Sequence, residues 1–306
     1  MKHFKNPVIP AAADGHTADP YVIRHNEKYY HCYCRRDGVY ITKADKLCDI
    51  SSGEEIHAFA APQYGKMSAW YAPELHRIGG KWYIYAAPAI DEKEHIHCMC
   101  VLERQSEEPF GKYEYKGMIK GLENTWCIDG TVFEHQGKHY LIWTTCSQMY
   151  MSMLKSPFEI TGKITALAHP EYAFETKRGC VNEGPALLKR NGKIHIIYSA
   201  NDSKTDDYCL GRITYCGGDI LDEKNWVKEK KPVFEKTDTV FGPGHCSFTT
   251  VSENNKENDW IVYHANLVSG SGWRGRSVWI QPFGWNENDE PVFGKPEVNL
   301  SEEKSD

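Results

Sequence analysis

The sequence predicts an all-β chain folded as a five-bladed β-propeller. Three observations predict it: an internal repeat of about 55 residues, an aromatic-rich strand with turn chemistry in every repeat, and the near absence of amphipathic helical patterns. With 306 residues, 41% hydrophobic and 25% charged, the chain is long enough to bury a sizeable core in one large all-β domain. Aromatic residues make up 12%, and 18 Tyr and 9 Trp among them pair an apolar ring with a polar handle. Such residues suit β-strands and also sugar-binding surfaces.

Each repeat is anchored by a turn residue, then Lys or Asp, then a strand. The five copies are Asn26-Glu27-Lys28-Tyr29-Tyr30, Gly80-Lys81-Trp82-Tyr83-Ile84-Tyr85, Gly137-Lys138-His139-Tyr140-Leu141-Ile142-Trp143, Gly192-Lys193-Ile194-His195-Ile196-Ile197-Tyr198 and Asn258-Asp259-Trp260-Ile261-Val262-Tyr263-His264. Anchors at Lys28, Lys81, Lys138, Lys193 and Asp259 give steps of 53, 57, 55 and 66 residues.

A second element precedes each strand: Asp19-Pro20-Tyr21-Val22-Ile23, Ala72-Pro73-Glu74-Leu75, Ile128-Asp129-Gly130-Thr131-Val132-Phe133, Asn182-Glu183-Gly184-Pro185-Ala186-Leu187-Leu188 and Gly242-Pro243-Gly244-His245-Cys246-Ser247-Phe248. The 7 to 14 residues from its polar member to the anchor fit a strand, a hairpin turn and a second strand. Ser106-Glu107-Glu108-Pro109-Phe110 and Ser156-Pro157-Phe158 form a weaker outer-strand echo, and Ala166 to Phe174 is the one stretch with room for a helical turn, interrupted at Pro170. No linker or composition break divides the chain. Residues 1–306 are expected to form one propeller domain, with a frayed acidic tail after about residue 300.

A net charge of −6 gives no basic footprint for nucleic acid or an anionic membrane. The longest apolar run, Trp82 to Ile90, is far short of the roughly 20 residues of a membrane span. Met1-Lys2-His3-Phe4-Lys5-Asn6-Pro7 leads into no apolar h-region. Eleven cysteines, an odd number with no C-x-x-C, suit buried reduced thiols; Cys32/Cys34 and Cys98/Cys100 each share a strand face. Both features point to the cytoplasm, with secretion following only if a leader has been removed.

Propeller geometry places the entrances of the five innermost strands in one ring. On this alignment Asp19, Glu74, Asp129, Glu183 and His245 converge at one mouth. Four carboxylates and an imidazole there are electrostatically costly without a functional reason. Crowding drives carboxyl pKa values apart, leaving one group protonated while another is ionised. Glycoside hydrolysis needs that division of an acid and a base. Trp70, Tyr71, Trp126 and Phe241 are candidate apolar platforms for a sugar ring.

These residues resemble glycoside hydrolase family 43, and within it the α-L-arabinofuranosidases, along nearly the whole chain. The matching motifs are Ala18-Asp19-Pro20-Tyr21-Val22, Ala72-Pro73-Glu74-Leu75-His76, Ile128-Asp129-Gly130-Thr131-Val132-Phe133-Glu134, Val181-Asn182-Glu183-Gly184-Pro185-Ala186, Phe241-Gly242-Pro243-Gly244-His245-Cys246-Ser247-Phe248, Val262-Tyr263-His264-Ala265, and Gly275-Arg276 with Gln281-Pro282-Phe283. Each is weak alone; their order and spacing carry the resemblance.

The resemblance implies Asp19 as general base, Glu183 as general acid, and Asp129 as the carboxylate that raises and orients the acid. It implies inversion in one displacement, with acid and base roughly 6.5–9.5 Å apart. Arg276 matches a family arginine that reaches the innermost sugar, and Glu74 belongs with the substrate-binding set. His245 falls where many members place a histidine close to calcium or another ion in the channel, although calcium prefers oxygen ligands. No organic cofactor is implied.

The substrate implied is a terminal α-L-arabinofuranosyl residue of an arabinan- or arabinoxylan-derived oligosaccharide, or of a polysaccharide side chain, removed from the non-reducing end. One departure bears on it. The family often reads Trp-Ala-Pro-Glu, whereas Trp70-Tyr71-Ala72-Pro73-Glu74 sets Tyr in that place and Trp one residue earlier, and a one-residue slip reverses a strand face. Ser277-Val278-Trp279-Ile280 is also less polar than usual. The alternatives are a β-xylosidase of the same family and a non-catalytic sugar-binding or protein-interaction propeller. A metal hydrolase built on His95-Ile96-His97 or His139 lacks an acidic partner at ligand spacing.

Overall fold

A computed structural model describes residues 4–13, 17–61, 67–91, 96–253 and 256–300; the acidic tail expected to fray and His95 lie outside them. Five antiparallel sheets form the blades of a propeller. Their innermost strands are Tyr21–His25 (blade I), Ser68–Ile78 (blade II), Ile128–His135 (blade III), Asn182–Arg190 (blade IV) and Phe241–Glu253 (blade V). Each runs straight into its neighbour through a hairpin.

The turn chemistry explains the repeated motif. Asn26-Glu27, Gly79-Gly80, Gln136-Gly137 and Asn191-Gly192 all carry positive φ at both residues, the two-residue turn whose twist matches that of the strands it joins. The Lys after each turn opens the second strand, at Lys28, Lys81, Lys138 and Lys193. Blade V departs from the sequence reading. Its second strand is Lys256–Asn266, and Glu253 pairs with Lys256, so the turn falls beside Lys256 and not beside Asp259. The longer hairpin leaves Asp259 within the ladder, opposite Thr250.

Blade V has three strands of its own, ending with Ser277–Pro282. The N-terminal segment completes it. Val8 N–H donates to Val278 O at 2.9 Å, Val278 N–H donates to Ile9 O at 2.9 Å, and the Asn6 side chain both donates to and accepts from Ile280. The ring is closed by this contact between the start of the chain and its last blade.

Apolar cores lie between successive blades. Cys32, Ile41 and Phe59 of blade I meet Trp70, Leu75 and Ile84 of blade II. Tyr85 and Val101 meet Val132 and Trp143; Ile142 and Met151 meet Ile196 and Tyr198; Ile197 and Leu210 meet Ile261 and Tyr263. Val262 and Ile280 then meet Val22 and Tyr29 and close the circle. The Trp82–Ile90 run is therefore a strand packed within the ring. No helix among the described residues is long and apolar enough to cross a membrane.

Two finer expectations are corrected or refined. Ala166 to Ala168 belong to the outermost strand of blade III, Glu159–Ala168, and not to a helix; the short helical turns among the described residues are Leu47–Ser52, Glu223–Asn225 and Gly272–Gly275. The Ser106 and Ser156 echo is the turn leading to an outermost strand: each Ser Oγ accepts the N–H two residues on, from Glu108 and Phe158 respectively.

Candidate active site

The innermost strands enter the sheet through a shared distortion. Asp19, Ala72, Asp129 and His245 have φ of 51°, 39°, 55° and 44°, and Gly184 has φ of 56°. In blades II to V the pairing register slips around this residue, as at a β-bulge. A left-handed residue turns the chain so that its own side chain, or that of its neighbour, faces the axis. These five residues, one per blade, are the equivalent positions.

That corrects the sequence alignment. Glu74 lies two residues beyond the blade II position and is buried, with its Oε2 2.8 Å from His76 Nε2. Glu183 lies one residue before the blade IV position. What sets Gly184 apart from the other four is the space: a Cβ there would stand 3.0 Å from the His245 ring, at a φ that is already strained for any side chain.

A cavity of about 490 Å³ opens over this ring. Asp19, Asp129, Glu183, His245, Arg276, Trp70 and Tyr71 line it. Glu74, Trp126 and Phe241 are not among its lining residues: Glu74 is turned into its pair with His76, and Trp126 packs against the core between blades II and III. Phe241 sits half-buried at the first pair of the blade V hairpin, opposite Asn266. The Trp70/Tyr71 slip is also settled geometrically. Trp70 is buried edge-on against Phe59, whereas Tyr71 is 40% exposed and stacks on His97 at 4.1 Å.

Asp19 is surrounded by nitrogen. Its Oδ1 lies 3.2 Å from His245 Nδ1, 3.4 Å from His264 Nδ1 and 3.6 Å from Arg276 Nη1. Burial opposes its charge, but the His245 imidazole, the His264 side chain and the Arg276 guanidinium together outweigh burial and hold the carboxyl well below its ordinary range. Asp129 accepts the Gly184 N–H on Oδ2 at 3.1 Å. Burial, with Asp19 and Glu74 nearby, pushes it up to about 6 against the pull of His245.

Glu183 accepts from Tyr208 Oη on Oε1 at 2.8 Å. Burial first, then repulsion from Asp129, pushes it up to about 8. At neutral pH the same cavity therefore holds an ionised Asp19 and a protonated Glu183. Burial works against a charge on His245, yet Asp19, Asp129, Glu183 and Glu74 together raise its pKa.

His264, Tyr208 and Trp273 belong to this site although the sequence reading gave them no role. His264 sits mid-strand among apolar neighbours, Tyr208 ends a loop of blade IV, and Trp273 lies on the short helical turn before Arg276. The strand period marks His264 as inward-facing only once the blade register is known.

The expected ion is a poor fit. His245 Nδ1 is turned to a carboxylate, and among the described residues no three His, Cys, Asp or Glu side chains gather as a metal would require. Calcium takes six to eight oxygens, which this imidazole does not bring.

Comparison with known proteins agrees with the geometry. An exo-α-(1→5)-L-arabinofuranosidase described as extracellular from Streptomyces chartreusis is 37% identical over 86% of this chain and 82% of its own length. A namesake from Streptomyces avermitilis is 32% identical over 96% of this chain, which spans only 63% of that longer relative. The crystal structure of an α-L-arabinofuranosidase from Lactobacillus brevis superposes with a TM-score of 0.85 at 31% identity, covering 97% of this chain and 98% of the other. The profile of Glycosyl hydrolases family 43 matches residues 4–291, and the chain belongs to that family.

Proposed function

We propose that residues 1–306 form a single catalytic propeller that removes terminal α-L-arabinofuranosyl residues from arabinose-containing oligosaccharides, with inversion. The observation that carries this reading is the split between Asp19 and Glu183: one carboxylate held ionised and one carboxyl held protonated in the same cavity. Ionised Asp19 takes a proton from water as that water attacks the anomeric carbon. Protonated Glu183 gives its proton to the glycosidic oxygen as the bond to the leaving sugar breaks. Asp129 keeps that proton on Glu183 by repulsion, and its bond to the Gly184 N–H fixes it beside the acid. These are the two half-reactions of single-displacement hydrolysis.

Tyr71 offers the exposed ring face for the sugar, and Arg276 stands over Asp19 to meet a hydroxyl. Terminal, non-reducing-end attack is favoured by the names of two relatives, both exo-acting. A non-catalytic propeller has no use for carboxyl groups driven so far apart. A cytoplasmic location rests on the eleven unpaired cysteines and contrasts with the two extracellular relatives; thiol titration of native protein from each cell fraction tests it.

The discriminating assay compares p-nitrophenyl α-L-arabinofuranoside with p-nitrophenyl β-D-xylopyranoside. The arabinofuranoside is expected to be hydrolysed faster. Preference for the xyloside converts the reading to a β-xylosidase, and turnover of neither favours the binding-module reading.

A further inference from the structure

We infer that Tyr208 and His264 act as a stacked bridge that sets the distance between the Asp19 and Glu183 carboxyl groups. The inference rests on the base and acid roles proposed for those two residues. In the ring, Asp19 belongs to blade I and Glu183 to blade IV, so blade V stands between them. Blade V contributes no carboxylate to the cavity. It contributes His264, against which Tyr208 stacks from a loop of blade IV.

At one end, Tyr208 Oη donates to Glu183 Oε1 at 2.8 Å. At the other, His264 Nδ1 accepts the Asp19 main-chain N–H at 3.2 Å. The same Nδ1 lies 3.4 Å from Asp19 Oδ1, so His264 faces both the main chain and the carboxylate of the base; burial pushes its pKa down to about 4, which keeps the ring neutral. Between the ends, the two rings lie parallel within 6°, with centroids 5.6 Å apart, in the offset-stacked range. Each residue is only 1% exposed, so neither ring is free to leave the stack.

The sequence around blade V is shaped to receive Tyr208. A Cβ on Gly244 would stand 2.2 Å from Cε1 of the Tyr208 ring, so Gly244 is the floor of a slot. The loop that carries Tyr208 is tied to the same blade: Asp206 O accepts the Gly242 N–H at 3.0 Å, and Asp206 Oδ1 accepts the Gly270 N–H at 2.9 Å. The acid's partner is thus pinned to blade V, whose second strand also carries the base's partner. Tyr208 and His264 are positioning residues: each acts through a carboxyl-bearing residue, Tyr208 through Glu183 and His264 through Asp19.

Leaving-group dependence separates this bridge from a simple hydrogen bond to the acid. Tyr208→Phe keeps the ring and loses only the donor. Its turnover loss should be about tenfold greater on an arabino-oligosaccharide than on 2,4-dinitrophenyl arabinofuranoside, whose leaving group needs little protonation. Tyr208→Leu removes the stack, misplaces base against acid, and should cost about 100-fold on both substrates. If Tyr208→Leu instead shows the leaving-group pattern of Tyr208→Phe, the bridge is wrong.

Should Tyr208→Leu fail to fold, as judged by near-UV circular dichroism, His264→Leu carries the same question from the far end. Glu183 is faced by Asp129, Tyr208, His245 and Asp19, and His264 is not among them. Loosening Tyr208 through the stack should nevertheless move the basic limb of the pH–rate profile upward, because the donor to the ionised acid is lost. An unmoved limb overturns the bridge. Turnover by the wild-type protein is read first, so failure of the arabinofuranosidase reading stays distinct from failure of this one.

Discussion

The main-chain N–H of Gly184 donates to Oδ2 of Asp129 at 3.1 Å. This single bond joins blade III to blade IV at the residue next to Glu183. It explains how one carboxylate governs another without a direct hydrogen bond between them: Asp129 is fixed in place, buried, and its charge raises the neighbouring acid. The two carboxyl groups titrate as a pair that holds one proton at neutral pH.

Replacing Asp129 by Asn keeps an acceptor for the Gly184 N–H and removes the charge. Loss of repulsion lowers the pKa of Glu183, so the basic limb of kcat/KM should move to lower pH. Turnover at neutral pH should fall about 100-fold as the acid loses its proton. A pH–rate profile of the variant checks both, and an unmoved limb removes the role given to Asp129.

Asp19→Asn and Glu183→Gln should each lower kcat by about a thousandfold or more while leaving the far-UV spectrum unchanged. The two differ by leaving group. Glu183→Gln should recover much of its loss on 2,4-dinitrophenyl arabinofuranoside, whereas Asp19→Asn should not, because water must still be deprotonated. Equal recovery in both variants argues against the assignment of acid and base.

Gly184→Ala brings a Cβ to 3.0 Å from the His245 ring at a φ of 56°. The backbone strain should destabilise the fold by about 1–3 kcal/mol. It should also cost activity, since the same peptide N–H holds Asp129. Thermal unfolding and kcat measured together check this; a stable, fully active variant contradicts the close contact.

Trp70 and Tyr71 should separate stability from binding. Trp70→Ala empties a buried site against Phe59 and should cost about 3–5 kcal/mol in denaturant unfolding. Tyr71→Ala removes an exposed ring and should raise KM about tenfold with a much smaller change in unfolding. The reverse pattern would place the sugar platform on Trp70.

Much of the blade architecture was legible because its turns are written in residue types. Four of the five hairpins use two-residue turns with positive φ at both positions, and a lysine follows each one at a fixed place. Blade V resisted because its hairpin is longer, and Asp259 sits where the eye expects the turn. The three acids were legible as members of repeated motifs. The phase of the ring was not: Ala72 and Gly184 hold the equivalent positions, and nothing in their side chains announces a backbone turned left-handed. Glu74 was therefore drawn into the ring in place of Ala72. Tyr208 and His264 were hidden for a different reason. Their roles come from contacts distant in sequence, between a loop residue, Tyr208, and Glu183 of the same blade and between His264 and Asp19 of neighbouring blades, which no local pattern records.

The most direct test follows the anomeric proton of the first arabinose released from an α-(1→5)-linked arabino-oligosaccharide by NMR. Single displacement by Asp19-activated water should give the β-anomer first, with the α-anomer growing in only by mutarotation. Initial release of the α-anomer would mean a double displacement and would contradict the division of labour between Asp19 and Glu183.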